Sequence, residues 1–188
     1  MIWRCPYCRS KLAKNVERLS CTSCAQTFEI ISGIPDLRVD VDTWVDHGAD
    51  LAFARALAAK DQPLEAMVRA VYSARADYDS ARIERRTREV LDAPRLLQKQ
   101  VSGWLDRATA SGPVLDLGCG SGPTMIALLS AGRACIGVDV SMTWLVVAQR
   151  MISHAGYTPV LAAAVAEALP LAEDALGAVV SLDVIEHV

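Results

Sequence analysis

The sequence predicts an α/β protein: a parallel sheet with helices, preceded by a helical segment and a small ribbon. Three observations carry this. From Pro113 onward, short apolar runs alternate with helical segments, the pattern of parallel strands joined by right-handed crossovers. A glycine-rich run, Gly118-Cys119-Gly120-Ser121-Gly122, lies where the first of those runs meets a helix. The first 38 residues carry two Cys-x-x-Cys pairs, Cys5/Cys8 and Cys21/Cys24.

Each element follows from local pattern. Residues 1–38 are short and Cys-punctuated, with Gly33 and Pro35, and read as hairpins held by something other than a core. Residues 39–94 form a helical linker or cap, in which Leu64, Met67, Val68 and Val71 share a face at i, i+3, i+4, i+7. Leu97, Val101, Trp104 and Leu105 do the same in a helix whose first turn would hold Pro94. Between them, Glu84 faces Arg88 and Arg85 faces Glu89 at i, i+4, so the Arg82, Arg85, Arg86, Arg88 cluster reads as a solvated face. The third region, 95–188, brings strands at Val114–Leu117, Cys135–Asp139, Val160–Ala162 and Ala178–Leu182. Its helices span Thr124–Ala131 and Ser141–Ala155, the second capped by Ser141.

Composition sets limits. Hydrophobic residues make up 52% and charged residues 22%, a globular balance. No apolar run reaches the length of a membrane span, and the start lacks the apolar core of a signal peptide. The expected setting is cytoplasmic, where paired cysteines point to metal before disulfide. A basic head (net +3 over 1–38) precedes an acidic body (net −5 over 113–188), which suits an anionic partner at the N-terminus or an ordinary solvated surface.

The glycine run sits at the carboxyl end of a strand, where open parallel sheets bind ligands. Asp139 ends the next strand, where an acid can accept from both hydroxyls of a ribose. In the dinucleotide pattern G-x-G-x-x-G the third glycine would fall at Pro123. The chain instead reads G-x-G-x-G with Asp116 two residues earlier. A carboxylate repels a pyrophosphate and suits a cofactor bearing an ammonium and a sulfonium.

The run Asp116–Gly122, with Gly137–Ser141, Ala166–Pro170 and Ser181–His187, resembles the ordered motifs of Class I S-adenosylmethionine-dependent methyltransferases. The resemblance implies a Rossmann-like parallel sheet and S-adenosylmethionine as cofactor. By it, Gly118 and Gly120 line the methionine part, Gly122 belongs to the same cofactor-binding loop, Asp116 orients the amino group of the methionine part and Asp139 holds the ribose. Val140 and Met142 flank the adenine, and Ala166 and Glu167 pass its edge. The chain departs from the family at Val165, where an Asp usually bonds the adenine amino group, and at Leu176-Gly177, where Phe-Asp is usual. Asp183, Glu186 and His187 would face the acceptor. They form either a hard-metal shell or a border of the pocket with His187 ordering the next loop.

Cys5, Cys8, Cys21 and Cys24 together supply the closed tetrahedral thiolate shell of a structural zinc site, a staple that a 38-residue segment needs. A thioredoxin-like redox role suits a single Cys-x-x-Cys, not two. The segment through Leu37 resembles the Trm112-like zinc-binding family and the zinc module of certain ribosomal-RNA guanine methyltransferases. Cys119 and Cys135 read as small buried hydrophobes.

In the related fold, further strands follow the fourth. The chain is therefore expected to be truncated after strand 4, as a partial sheet ordered 3-2-1-4. A bare strand 4 edge would be open to self-association or a partner strand, and these residues alone would not turn over. The implied function is methyl transfer to a small-molecule or lipid-like acceptor. The alternatives are an RNA methyltransferase that docks RNA through the ribbon, or a non-catalytic zinc-bearing binding or regulatory module.

Overall fold

The computed structural model describes residues 2–39, 45–105, 111–182 and 184, without the side chains of Ser102 and Leu105. The N-terminal part is a four-stranded antiparallel sheet in the order β1 (Leu12–Lys14), β2 (Arg18–Cys21), β3 (Thr27–Ile31), β4 (Ile34–Pro35). Its turns follow from local chemistry. The Asn15 side chain accepts from the Glu17 and Arg18 amides at 3.1 and 2.7 Å. Between Ile31 and Ile34, Ser32 and Gly33 both take positive φ (51° and 85°), the two-residue turn whose twist matches a hairpin.

Three helices follow: α1 (His47–Ala58), α2 (Leu64–Ser73) and α3 (Ser80–Leu105). Asp46 caps α1 by accepting from the Ala49 amide at 3.0 Å. The apolar face expected on α2 is present, with Met67 and Val68 buried and Leu64 and Val71 packed beside them. Val101 is buried, and Leu97 and Trp104 pack against the same cluster.

Pro94 does not open a helix; it lies inside α3. The start is at Ser80, where the Asp79 carboxylate accepts from the Arg82 amide at 2.7 Å. The ring removes a donor but leaves intact the tertiary packing that decides the helix. The Arg85–Glu89 pair forms at 3.6 Å, but the Glu84 carboxylate turns to Arg69 of α2 instead of Arg88.

The second sheet is parallel, with β5 (Val114–Leu117), β6 (Cys135–Asp139), β7 (Leu161–Ala163) and β8 (Ala178–Ser181) in the order β7-β6-β5-β8. Helices α4 (Pro123–Ser130) and α5 (Met142–His154) make two of the crossovers. Alternation along the strands sorts the core. Val114, Cys135, Leu161 and Ala163 face a cluster shared with all five helices, while Leu115, Ile136, Val138 and Ala162 face the ribbon's Trp3, Leu12, Leu19 and Phe28.

A single partial sheet ordered 3-2-1-4 and truncated after its fourth strand is therefore not the architecture. The described residues carry eight strands in two four-stranded sheets, and β1–β4 are antiparallel. The Cys-bearing segment has a sheet of its own and uses it to cover one face of the parallel sheet. The two sheets also touch edge to edge, where the Leu37 amide donates to the Ala163 carbonyl at 2.8 Å. Among the described residues, no helix is long and apolar enough to cross a membrane.

Candidate functional site

Two sites are built by this frame. The first is the cysteine cluster. Cys5 and Cys8 lie on the turn before β1, Cys21 ends β2, and Cys24 lies on the turn before β3. Each pair is followed by a residue with positive φ, Arg9 (64°) and Ala25 (59°), which folds the chain back around the thiols. The four Sγ atoms all lie within 4.8 Å of one another, with Cys5–Cys24 at 3.6 Å and Cys8–Cys21 at 3.4 Å. A tetrahedral zinc–thiolate shell with bonds of about 2.3 Å has sulfur–sulfur edges of about 3.8 Å. The donor set fits that ion in number, softness and spacing. The other two cysteines, Cys119 and Cys135, are buried, and burial pushes both thiols up, Cys135 to about 12. Both disfavour the thiolate a nucleophile needs.

The second site lies at the carboxyl ends of β5 and β6. The loop after β5 rises through Gly118, Gly120 and Gly122, all at positive φ (74°, 50° and 82°). Gly118 and Cys119 donate back to the Val138 carbonyl at 2.8 and 3.1 Å, holding the loop over β6. A Cβ on Gly118 would come within 2.0 Å of Val184, whereas a Cβ on Gly120 would meet nothing within 4 Å. The loop is thus packed at its first glycine and open at its second. Asp139 braces it: one carboxylate oxygen accepts from the Gly120 amide and the other from the Ser141 amide, each at 2.8 Å.

Asp116 is buried on β5, and its Oδ2 has no hydrogen-bond partner among the described residues. Burial first, and the charge of Asp139 second, push its carboxyl up to about 7. Burial also raises Asp139. Asp116 is thus a buried carboxyl short of hydrogen-bond partners beside an open loop, a position where a cationic donor would supply what is missing.

The remaining sequence-derived residues fall around this loop. Val140 is half-buried and its carbonyl accepts from Arg38 at 3.0 Å. Met142 opens α5 with its side chain fully buried in the core. Ala166 and Glu167 form a 3-10 turn after β7, Glu167 exposed, and Val165 before it is buried. Asp183, Glu186 and His187 lie outside the described residues. Arg38 and Asp50 were missed by sequence reasoning. Asp50 of α1 accepts from the Ser141 hydroxyl and the Met142 and Thr143 amides at 2.9, 2.8 and 3.1 Å. No local pattern announces it, since Met142 lies 92 residues away.

Comparison with known proteins gives a family match for part of the chain: residues 114–188 match the methyltransferase domain family. No curated protein matches the chain. Among solved structures, the chain is similar to the glycopeptide N-methyltransferase MtfA complexed with sinefungin, at 20% identity over 45% of this chain and 35% of that one, with a TM-score of 0.40. It is also similar to geranyl diphosphate C-methyltransferase from Streptomyces coelicolor A3(2), at 15% identity over 75% of this chain and 56% of that one, with a TM-score of 0.41. The chain spans about a third of the first of these proteins and little more than half of the second.

Proposed function

We propose that the chain binds S-adenosylmethionine at the glycine loop and serves methyl transfer to a small-molecule or lipid-like acceptor, with zinc held by Cys5, Cys8, Cys21 and Cys24. The observation that carries this reading is Asp116, a buried carboxyl with one unpartnered oxygen beside an open glycine loop. An ammonium there would supply the missing donor and charge. The family match over 114–188 supports the same ligand. Asp139 retains acceptor capacity after bonding two amides, since each carboxylate oxygen can accept twice. Bound S-adenosylmethionine supplies an electrophilic methyl group. The protein's part is to hold the donor and orient the acceptor, with Asp183, Glu186 and His187 as substrate-side candidates.

We read the chain as a ribbon (1–38), a helical cap (39–94) and the nucleoside-binding part (95–188), with α3 shared between the last two. A cytoplasmic setting agrees with thiols reserved for metal. Among the described residues β8 pairs only with β5, and its other edge is a candidate for self-association or a partner strand. An RNA acceptor docked by the ribbon has less support. Arg9 donates to the carbonyls of Leu169 and Leu171, and Arg82, Arg85 and Arg86 face carboxylates.

Isothermal calorimetry with S-adenosylhomocysteine tests the reading. The wild-type chain should bind, and Asp139→Ala should weaken binding by about 1.5–3 kcal/mol for each lost charge-assisted bond. Absence of binding by the folded wild-type chain would refute it and favour the non-catalytic zinc-bearing module.

A further inference from the structure

The densest polar cluster outside the glycine loop joins three distant parts of the chain. Arg38 lies three residues beyond Pro35, the end of β4, and its side chain is only 2% exposed. The Arg38 Nε and Nη2 donate to the two oxygens of Asp36, both at 2.8 Å, and Nη1 donates to Asp50 at 2.9 Å and to the Val140 carbonyl at 3.0 Å. The Asp50 side chain, 8% exposed, carries the network into α5 through Ser141, Met142 and Thr143. With Asp139 on the Ser141 amide and the Ser141 hydroxyl on the Trp144 amide, the amides of residues 141–144 are all satisfied by side chains.

These bonds act on the turn that follows Asp139. The turn is held from one side by the glycine loop through Asp139 and from the other by Arg38 and Asp50, which belong to the ribbon's exit and to α1. Charge matters as much as shape. Asp50 stands close enough to Asp139 to oppose its ionisation, and Arg38 is the cation that offsets Asp50. Removing Arg38 alone leaves a buried carboxylate uncompensated beside the acid proposed to hold the ribose.

We propose that Arg38 and Asp50 are positioning residues for the nucleoside half of the cofactor, through which the ribbon and α1 form a working wall of that site. This rests on the reading of the glycine loop as an S-adenosylmethionine site. Neither residue need touch the ligand. Arg38 fixes the Val140 carbonyl, Asp50 fixes the amides that follow it, and the turn so held keeps Asp139 aimed.

The test is calorimetric binding of S-adenosylhomocysteine to the full chain, with a thermal melt of each variant. Arg38→Met should weaken binding roughly ten-fold or more, Arg38→Lys should fall between it and wild type, and Arg38→Met/Asp50→Asn should recover part of the loss, because the carboxylate that opposes Asp139 is then neutral and only the more exposed Asp36 is left without Arg38. A purely structural role would make the double variant worse than the single one. If Arg38→Met does not fold, Arg38→Lys decides alone: the charge is kept and the planar fork is lost, so binding should weaken while the melting temperature stays near wild type. Wild-type affinity in the single variants, or no recovery in the double one, overturns the proposal while leaving the cofactor reading intact. No binding by wild type overturns both.

Discussion

At the residue scale, Asp116 sets the behaviour of the site with pH. Its carboxyl is raised from 3.8 to about 7, first by burial and then by Asp139. Between those values the folded chain holds a proton that the unfolded chain has released. Stability therefore falls as pH rises through that window, by up to about 4 kcal/mol if the whole shift is expressed. An ammonium-bearing ligand favours the ionised form, so affinity for S-adenosylhomocysteine should climb from about pH 6 to about pH 8. Asp116→Asn should flatten both trends. Thermal melts from about pH 4 to 7 and calorimetry from about pH 6 to 8 check this, and an unchanged slope in the variant would remove Asp116 from the site. The Asp116 motif was legible in sequence because strand, glycine and acid are neighbours. Its orphaned oxygen was not, because burial is a property of the packed sheet.

At the element scale, the β5–α4 connection shows what a short local pattern can specify. Gly118 has φ +74° and its missing Cβ leaves room for Val184. Gly118→Ala should cost about 1–3 kcal/mol of stability from strain and overpacking, and should weaken cofactor binding further by displacing the loop. A denaturant titration beside the binding measurement separates the two effects. Helix α3 shows the opposite case. Pro94 is a sound start signal taken locally, yet the helix runs through it because its faces are packed against α2 and α4. The pairing of Glu84 with Arg69 has the same cause: the nearer partner across the helix interface displaces the one along the helix.

At the scale of the whole molecule, the ribbon is a layer of the fold. Its Trp3, Leu12, Leu19 and Phe28 bury against Leu115, Ile136 and Val138. Arg4 and Arg9 bond the backbone of Pro170, Leu169 and Leu171, just beyond the turn that carries Ala166 and Glu167. Purified protein should carry about one zinc per chain. Removing it with a chelator should lower the melting temperature of the entire chain and weaken S-adenosylhomocysteine binding, because the uncovered sheet face loses its packing. Metal analysis and melts before and after chelation check this. A ribbon that loses its metal without affecting the rest would mean the two sheets are independent.

The sequence by itself determined the features that are written in adjacent residues. These are the two Cys-x-x-Cys knuckles, the glycine loop with Asp116 before it, Asp139 at the next strand end, the Ser141 cap and the apolar face of α2. Each depends on spacing within a few residues, where backbone geometry alone fixes what meets what. Only the tertiary structure decided that the ribbon is an antiparallel sheet laid on the parallel one, that α3 continues through Pro94, and that Arg38 and Asp50 reach the turn after Asp139. Those contacts join residues that are far apart in sequence, and they form because buried apolar faces and buried charges must find partners wherever the fold brings them.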